Sequence, residues 1–231
     1  MPKKVLFLDA FGTLLSGGME SIILACEEIV DKNSLDMTPN EFLIIWDGHY
    51  KEVLGGEFMT LVRANEVSLK RTYKELGIED GTDNYLNKMY KSWYHAKLYD
   101  DASQALPKLE SVPKCMVSNA DEHLLDVAMK KNGLHFEYAV SSEKARGYKP
   151  YPKIFQCALE EVGCEPIEAI MVGDSQTSDI VGAKKMGIPV IWINRFDEEH
   201  REGVPEPDFE AKDILEMVEI LSDNGFFQIE D

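Results

Sequence analysis

The sequence contains little basic charge. Its 231 residues include 24 lysines and arginines against 42 aspartates and glutamates, which gives a formal net charge of −18 at pH 7. Nucleic acids and anionic membranes bind to basic protein surfaces, so neither is an expected partner. No apolar run reaches membrane-spanning length, and the first eight residues lack the apolar segment of a signal peptide.

Cysteine is also scarce. The four cysteines (Cys26, Cys115, Cys157 and Cys164) are scattered and form no Cys-x-x-Cys pair. This spacing predicts buried, reduced thiols without a disulfide or metal framework, and hence a cytoplasmic protein. With only 10 prolines, 16 glycines and 44% hydrophobic residues, the composition excludes a disordered chain.

The chain begins with a short apolar segment that ends in an acid. The residues from Val5 to Leu8 are apolar, Asp9 follows them, and Gly12-Thr13 allows a sharp turn. An uninterrupted apolar run is typical of a buried parallel strand, and the carboxyl ends of such strands face the ligand crevice. Asp9 is therefore expected in a dehydrated but accessible position, as a covalent nucleophile requires. The alternative at this point is that Asp9 merely ends the strand.

The rest of the chain alternates between two kinds of pattern. Residues 16–98 have helical periodicity and predict four or five helices; Thr38-Pro39-Asn40-Glu41 has the pattern of a helix start. From residue 99 onward, short apolar runs alternate with helical segments, which predicts a parallel sheet with helices on both faces. We therefore predict an α/β fold: a doubly wound, Rossmann-like core of residues 1–15 and 99–231, with a helical cap of residues 16–98.

Four motifs in series carry a family resemblance. They are Asp9-Ala10-Phe11-Gly12-Thr13-Leu14, Met116-Val117-Ser118-Asn119, Lys149-Pro150-Tyr151-Pro152-Lys153-Ile154-Phe155, and Val172-Gly173-Asp174-Ser175-Gln176-Thr177-Ser178-Asp179. Each is common alone, but together and in this order they resemble the haloacid dehalogenase-like hydrolase superfamily. The resemblance implies a Rossmann-like core with a cap domain that closes over the active site.

The resemblance also implies roles for individual residues. Asp9 would be the catalytic nucleophile. Ser118 and Lys149 would be catalytic and would also bind the substrate, with Lys149 offsetting negative charge. Thr13 and Asn119 would complete the substrate-binding set. Lys51 and Arg63, in the cap, are more simply interpreted as residues of solvated helix faces.

A second acid, Asp174, follows a later apolar strand. Two carboxylates at adjacent strand ends repel each other unless a cation lies between them, and Mg²⁺ with oxygen ligands fits that position. The resemblance implies that Asp9, Asp174 and the main-chain carbonyl of Phe11 bind the metal. The alternative is that Asp174 only caps the following helix. Asp179 is expected to support the start of that helix rather than to bind the metal directly.

Phe11 departs from the pattern of the phosphatases in this superfamily. They carry an acid at this position that protonates the leaving alcohol, whereas the dehalogenases carry an aromatic residue and need no such proton. Because Asp174 is present, the favoured hypothesis is a Mg²⁺-dependent phosphatase that acts on a small phosphorylated metabolite through an aspartyl-phosphate on Asp9. The alternatives are a 2-haloacid dehalogenase with Asp9 as nucleophile and a phospho-ligand-binding protein with little turnover. The sequence leaves the substrate and the oligomeric state undetermined.

Overall fold

The computed structural model describes residues 5–79 and 81–227, and these form two compact units. The first unit contains the described residues of segments 1–16 and 97–231, and the second contains those of segment 17–96. The limits expected from the sequence, 15 and 98, differ from these by one and two residues.

The first unit is built on a parallel sheet. Its strands are β1 (Val5–Leu8), β2 (Lys114–Ser118), β3 (Tyr138–Ser141), β4 (Ala169–Gly173), β5 (Val190–Ile193) and β6 (Phe209–Ala211). Within the described residues the strand order is β3-β2-β1-β4-β5-β6, and every neighbouring pair is parallel. This is the predicted doubly wound, Rossmann-like core, and the α/β fold class is confirmed.

Helices connect these strands. The α-helices of this unit are α5 (Asp100–Ala105), α6 (Glu122–Lys131), α7 (Ser142–Ala145), α8 (Pro152–Val162), α9 (Val181–Lys185) and α10 (Ile214–Asp223). Short 3₁₀ turns cover Leu106–Leu109 and Pro166–Glu168, and a π-helical turn covers Gln176–Ile180. Helix α8 packs Ile154 and Phe155 against the buried apolar residues of the central strands. A fully buried side chain of this size contributes about 1.5–3 kcal/mol to folding, so this layer fixes the sheet on which the site is built.

The strand order places the site. β1 lies in the centre of the sheet, between β2 and β4, with Phe7 in register with Cys115 on one side and Met171 on the other. After β1 the chain adds β2 and β3 on one side of it and then crosses to add β4, β5 and β6 on the other side. The direction in which strands are added therefore reverses between β1 and β4. Ligands bind at such a switch point, beyond the carboxyl ends of the strands. Asp9 and Asp174 immediately follow those two strands.

Two elements differ from the sequence-based expectation. Strand β6 was not predicted, because three residues starting at Phe209 are too short to show a period. The helix after β4 was expected to be regular, but it begins as the π-helical turn and continues as α9. The turn forms where the Asp179 carboxylate accepts the Ser175 N–H at 3.0 Å. Such turns occur frequently at functional sites.

The second unit is helical, as its periodicity predicts. Its helices, within the described residues, are α1 (Met19–Lys32), α2 (Pro39–Leu54), α3 (Leu61–Leu76) and α4 (Asp83–Tyr94). The predicted start of α2 is confirmed, because the Thr38 and Glu41 side chains each accept the other's backbone N–H. α3 ends at Gly77, whose φ of 66° favours glycine. Among the described residues, no helix combines the length and the apolar character that crossing a membrane requires.

The cysteines are free thiols. Cys26 and Cys115 are buried, and burial raises the pKa of each to about 12. Cys157 and Cys164 are half-buried, so the prediction of buried thiols is correct for two of the four. Both half-buried cysteines pack against the buried core that contains Ile154 and Phe155.

Candidate active site

The Asp9 carboxylate lies in a protected position at the end of β1. Its backbone N–H donates to Val172 O at 2.9 Å, which extends the pairing of β1 with β4 by one residue. Only 6% of Asp9 is exposed. Its Oδ1 atom forms an ion pair with Lys149 Nζ at 2.6 Å. The structure therefore presents Asp9 as a shielded carboxylate with a fixed cationic partner.

Lys149 is the positive centre of the site. It is 2% exposed, and its Nζ lies 2.6 Å from Asp9 Oδ1, 2.7 Å from Asp179 Oδ1 and 2.9 Å from Val117 O. Burial alone would lower the pKa of Lys149, but the charges of Asp179 and Asp9 outweigh burial and raise it. The ammonium is therefore charged at neutral pH. Because two carboxylates share it, it can hold Asp9 in place without neutralising the whole site.

The turn after Asp9 brings a hydroxyl between two acids. Thr13 Oγ1 lies 3.3 Å from Asp9 Oδ2 and 3.0 Å from Asp174 Oδ1, and it accepts the Asp174 N–H at 3.0 Å. A hydroxyl has one proton, so Thr13 donates to one carboxylate at a time. Gly12 makes this approach possible: its φ is 94°, and a Cβ there would lie 2.3 Å from Asp174 Oδ2. Glycine at position 12 is thus required by both backbone geometry and space.

Three carboxylates meet at this point. One oxygen from each of Asp9, Asp174 and Asp179 lies within 4.8 Å of the others. Burial, and then the charges of Asp9 and Asp179, raise the pKa of Asp174 well above its ordinary value. Burial also raises the pKa of Asp179 to about 6, although Lys149 opposes this. Gly173 makes room for Asp179, since a Cβ on Gly173 would lie 2.2 Å from Asp179 Oδ2.

Ser118 and Asn119 lie at the end of β2 and differ in their contacts. Ser118 is 2% exposed at the last position of the strand. The Asn119 side chain instead holds the backbone of Lys149: its Nδ2 donates to Lys149 O at 3.0 Å and its Oδ1 accepts the Lys149 N–H at 2.7 Å. Asn119 was predicted to bind substrate, whereas its amide is here engaged in holding the lysine. The amide keeps a second N–H and a second lone pair, so the predicted contact of Asn119 with substrate stays a prediction.

The remaining predicted residues lie as follows. Phe11 is half-buried, two positions after Asp9, and no acid occupies its place. Its carbonyl stays a predicted metal ligand. In the helical unit, Lys51 pairs with Asp47 and Arg63 with Glu66, and both cations are more than half exposed, which agrees with solvated helix faces.

Sequence reasoning underestimated Asp179. It was expected only to support a helix start, and its Oδ2 does accept the Ser175 N–H; its other oxygen, however, pairs with Lys149. Asp179 is fully buried. One signal could have revealed this role: a buried lysine needs more than one acceptor for its three N–H groups, and Asp179 is the next acid after Asp174.

The site thus consists of a buried carboxylate paired with a buried lysine at the switch point of a Rossmann-like sheet. A family model described as haloacid dehalogenase-like hydrolase matches residues 36–193, which is more than half of the chain. The protein belongs to this family, as the four motifs predicted.

Similar proteins cover the chain to different extents. The (S)-2-haloacid dehalogenase H-109 of Pseudomonas putida is 25% identical over 96% of this chain and 99% of its own length. A solved structure of the L-2-haloacid dehalogenase from Xanthobacter autotrophicus superposes with a TM-score of 0.74 and 21% identity, over 96% of this chain and 99% of the other. The glyceraldehyde 3-phosphate phosphatase of Pyrococcus furiosus is 37% identical, but over only 39% of each chain.

These comparisons correct the favoured hypothesis. The predicted phosphatase activity is wrong, because the curated relatives that match along nearly the whole chain include three (S)-2-haloacid dehalogenases, whereas the phosphatase match covers only 39% of the chain. The error came from giving Asp174 more weight than Phe11. Asp174 does not require a phosphate, since burial raises its pKa and thereby favours the neutral form over the charged one. The alternative hypothesis, dehalogenation with Asp9 as nucleophile, agrees better with the relatives.

Proposed function

We propose that this protein hydrolyses a 2-haloacid to the corresponding 2-hydroxy acid, with Asp9 as the covalent nucleophile. The observation that supports this most is the combination of an Asp9–Lys149 ion pair of 2.6 Å with a phenylalanine at position 11. A halide leaves as a stable anion and needs no proton, so a site without an acid at position 11 is sufficient. An alkoxide leaving group would need that acid.

The first step forms an ester. A carboxylate oxygen of Asp9 attacks C2 of the substrate from the side opposite the halogen; the C–O bond forms as the C–X bond breaks, and halide departs with the bonding electrons. The configuration at C2 is inverted. The Lys149 ammonium stays within reach of Asp9 and can also attract the substrate carboxylate, for which the Ser118 hydroxyl is a further donor.

The second step needs a base. Water adds to the carbonyl carbon of the Asp9 ester, the bond between that carbon and the ester oxygen breaks, and the 2-hydroxy acid leaves as the Asp9 carboxylate re-forms. Asp179 is the base that we propose for this water. It lies in the carboxylate cluster, and burial raises its pKa to about 6, which keeps it ionised at neutral pH but basic enough to accept a proton. Asp179 then returns this proton to the alkoxide oxygen of the departing 2-hydroxy acid, and the second proton of the water passes to solvent as the Asp9 carboxylate re-forms.

Asp179→Asn should separate the two steps. Halide should be released once per protein molecule, and the ester should accumulate on Asp9, because the amide cannot take a proton from water. Steady turnover should fall on the order of 10²-fold or more. Quenched-flow halide measurement and intact mass of the protein test this. Asp126→Asn, on the exposed surface of α6, is the matched control. Steady turnover without a mass increase in Asp179→Asn would assign the base elsewhere.

We also propose that the carboxylate cluster binds Mg²⁺. The donor set fits, since three carboxylates with oxygens within 4.8 Å of one another are the hard ligands this ion prefers. Asp9 and Asp174 would hold it, with the carbonyl of Phe11 as the third protein ligand. A bound ion would supply positive charge against the mutual repulsion of the acids.

Mg²⁺ should therefore raise the melting temperature of the wild-type protein by several degrees at millimolar concentration, because it binds the folded state. Asp174→Asn should lose this shift, since it removes one ligand charge. Differential scanning calorimetry with NaCl at matched ionic strength measures the difference. An equal Mg²⁺ shift in both proteins would place the ion away from Asp174.

A substrate panel tests the proposed function. The wild-type protein would be assayed with (S)- and (R)-2-chloropropionate and with an alkyl phosphate, each with Mg²⁺ and with a chelator. We expect halide release from one enantiomer that persists in the chelator, together with inverted lactate as product. Phosphate release without halide release would reject the proposal. Single turnover in H₂¹⁸O should place the label in Asp9, since water attacks the ester carbonyl.

A further inference from the structure

Arg195, which lies just beyond β5, contacts the main chain of the turn that follows the nucleophile. Its Nη2 donates to Thr13 O at 2.6 Å and its Nε to Gly12 O at 3.3 Å. We propose that Arg195 is a positioning residue of the active site: by holding these two carbonyls it fixes the turn that orients the Thr13 hydroxyl toward Asp9. No sequence motif marked this arginine.

The guanidinium of Arg195 is itself held firmly. Nη1 and Nη2 each lie 2.9 Å from one oxygen of Asp101, and the ring of Tyr99 lies 4.1 Å from the guanidinium carbon. Asp101 Oδ2 also accepts the Ile214 N–H at 2.8 Å. Burial would raise the pKa of Asp101, but the hydrogen bonds from Arg195 and Ile214 lower it. Both side chains are largely buried, at 10% and 16% exposure, so the pair is shielded from competing water.

Thr13 connects Arg195 to Asp9, because its carbonyl binds the arginine and its hydroxyl lies beside the carboxylate. The turn is closed by the Gly12 N–H, which donates to Leu15 O at 2.7 Å, so its carbonyls and its side chains move together. The Thr13 carbonyl is bound by Arg195, and the Thr13 hydroxyl lies 3.3 Å from Asp9 Oδ2. A displacement of about 1 Å in a reacting group can cost on the order of 10²-fold in rate. Loss of the arginine clamp should therefore affect the chemical step.

Lysine cannot reproduce this clamp. Arg195 donates to two carbonyls and to both oxygens of a carboxylate through one planar group, whereas an ammonium is a point charge with three donors. Arg195→Lys keeps the charge but loses the planar group that donates to both oxygens of Asp101 and to the two carbonyls. The matched control is Arg201→Lys, six residues later on the same segment: Arg201 is 58% exposed and pairs with Glu198 at 3.5 Å.

The experiment compares these two variants with wild type. For Arg195→Lys we expect kcat on 2-chloropropionate to fall about 10- to 100-fold with KM changed less than about 3-fold. Amide hydrogen exchange in a peptide covering residues 9–16 should also become faster than in Arg201→Lys. A residue that serves only stability would lower the melting temperature without this kcat-specific loss in the folded protein.

Two results would overturn the proposal. One is amide exchange and kcat equal to those of Arg201→Lys, and the other is a loss of activity that appears in KM alone.

If Arg195→Lys does not fold, Asp101→Asn replaces it, since that change removes the carboxylate that fixes the guanidinium. The proposal is then accepted or rejected on the same measurements of exchange, kcat and KM. The inference rests on Asp9 as the nucleophile in the proposed function. If wild type releases no halide, that function fails, and the exchange of residues 9–16 decides the role of Arg195 separately.

Discussion

Replacing Asp9 with Asn should abolish turnover of every substrate, with a loss on the order of 10⁵-fold or more, as expected when a covalent nucleophile is removed. The amide is neutral and cannot attack C2 to form the ester. The fold should survive, because Asn fits the same space, and Lys149 keeps its 2.7 Å partner Asp179. Halide release with 2-chloropropionate and a thermal melt measure the two effects.

The control for this change is Asp126→Asn, which removes only an exposed ion pair with Lys130. It should keep wild-type turnover, because exposed pairs contribute about 0–1 kcal/mol to stability and the site is unaffected. No mass increase should appear on Asp9→Asn when it is incubated with substrate. Turnover close to wild type in Asp9→Asn would reject a covalent mechanism at this residue for any reaction class.

The parts of the fold that were predictable have strong local signals. The apolar run before Asp9 identified β1, and the pattern Thr38-Pro39-Asn40-Glu41 identified the start of α2, because a capping box depends on residues three positions apart. The short β6 and the π-helical turn before α9 depend on contacts distant in sequence, including the pairing of Ile191 with Phe209. Such elements have no period that a single segment could reveal.

The residues of the candidate site were predictable where they stand in sequence motifs and not where they are brought in from distant positions. Asp9, Thr13, Lys149 and Asp174 stand in motifs and meet within hydrogen-bonding or ion-pair distance. The contact of Arg195 with the turn after the nucleophile joins residues more than 180 positions apart, and no spacing rule connects them. The choice between phosphatase and dehalogenase could not be made from Asp174, because a buried carboxylate can be a metal ligand or a neutral acid according to its surroundings.

The second large effect concerns Lys149. Lys149→Met keeps an unbranched side chain, shorter by one atom, but leaves Asp9, Asp174 and Asp179 together without their ammonium. Removing one partner of a buried ion pair costs about 3–5 kcal/mol of unfolding free energy. Turnover should fall on the order of 10³-fold, because no ammonium remains to offset negative charge where the Asp9 carboxylate and the substrate carboxylate meet.

The stability loss should depend on pH in a direction that the shifted groups determine. Burial already raises the pKa of Asp179 to about 6 and that of Asp174 well above its ordinary value, and Lys149 opposes both shifts. Without Lys149 these folded-state pKa values rise further, so the folded protein binds protons more tightly than the unfolded chain does. The free energy of unfolding of Lys149→Met must then fall as the pH rises from the pKa values that these acids have in the unfolded chain, through about 6 and beyond.

Chemical unfolding at pH 5 and pH 8 measures this difference. The difference in the free energy of unfolding between wild type and Lys149→Met should be several kcal/mol at pH 8. It should be clearly smaller at pH 5, where the acids are largely protonated in the folded protein. Lys130→Met, at an exposed position of α6, should show a small gap at both pH values. A gap in Lys149→Met that is independent of pH would mean that lost packing, rather than the unpaired carboxylates, causes the destabilisation.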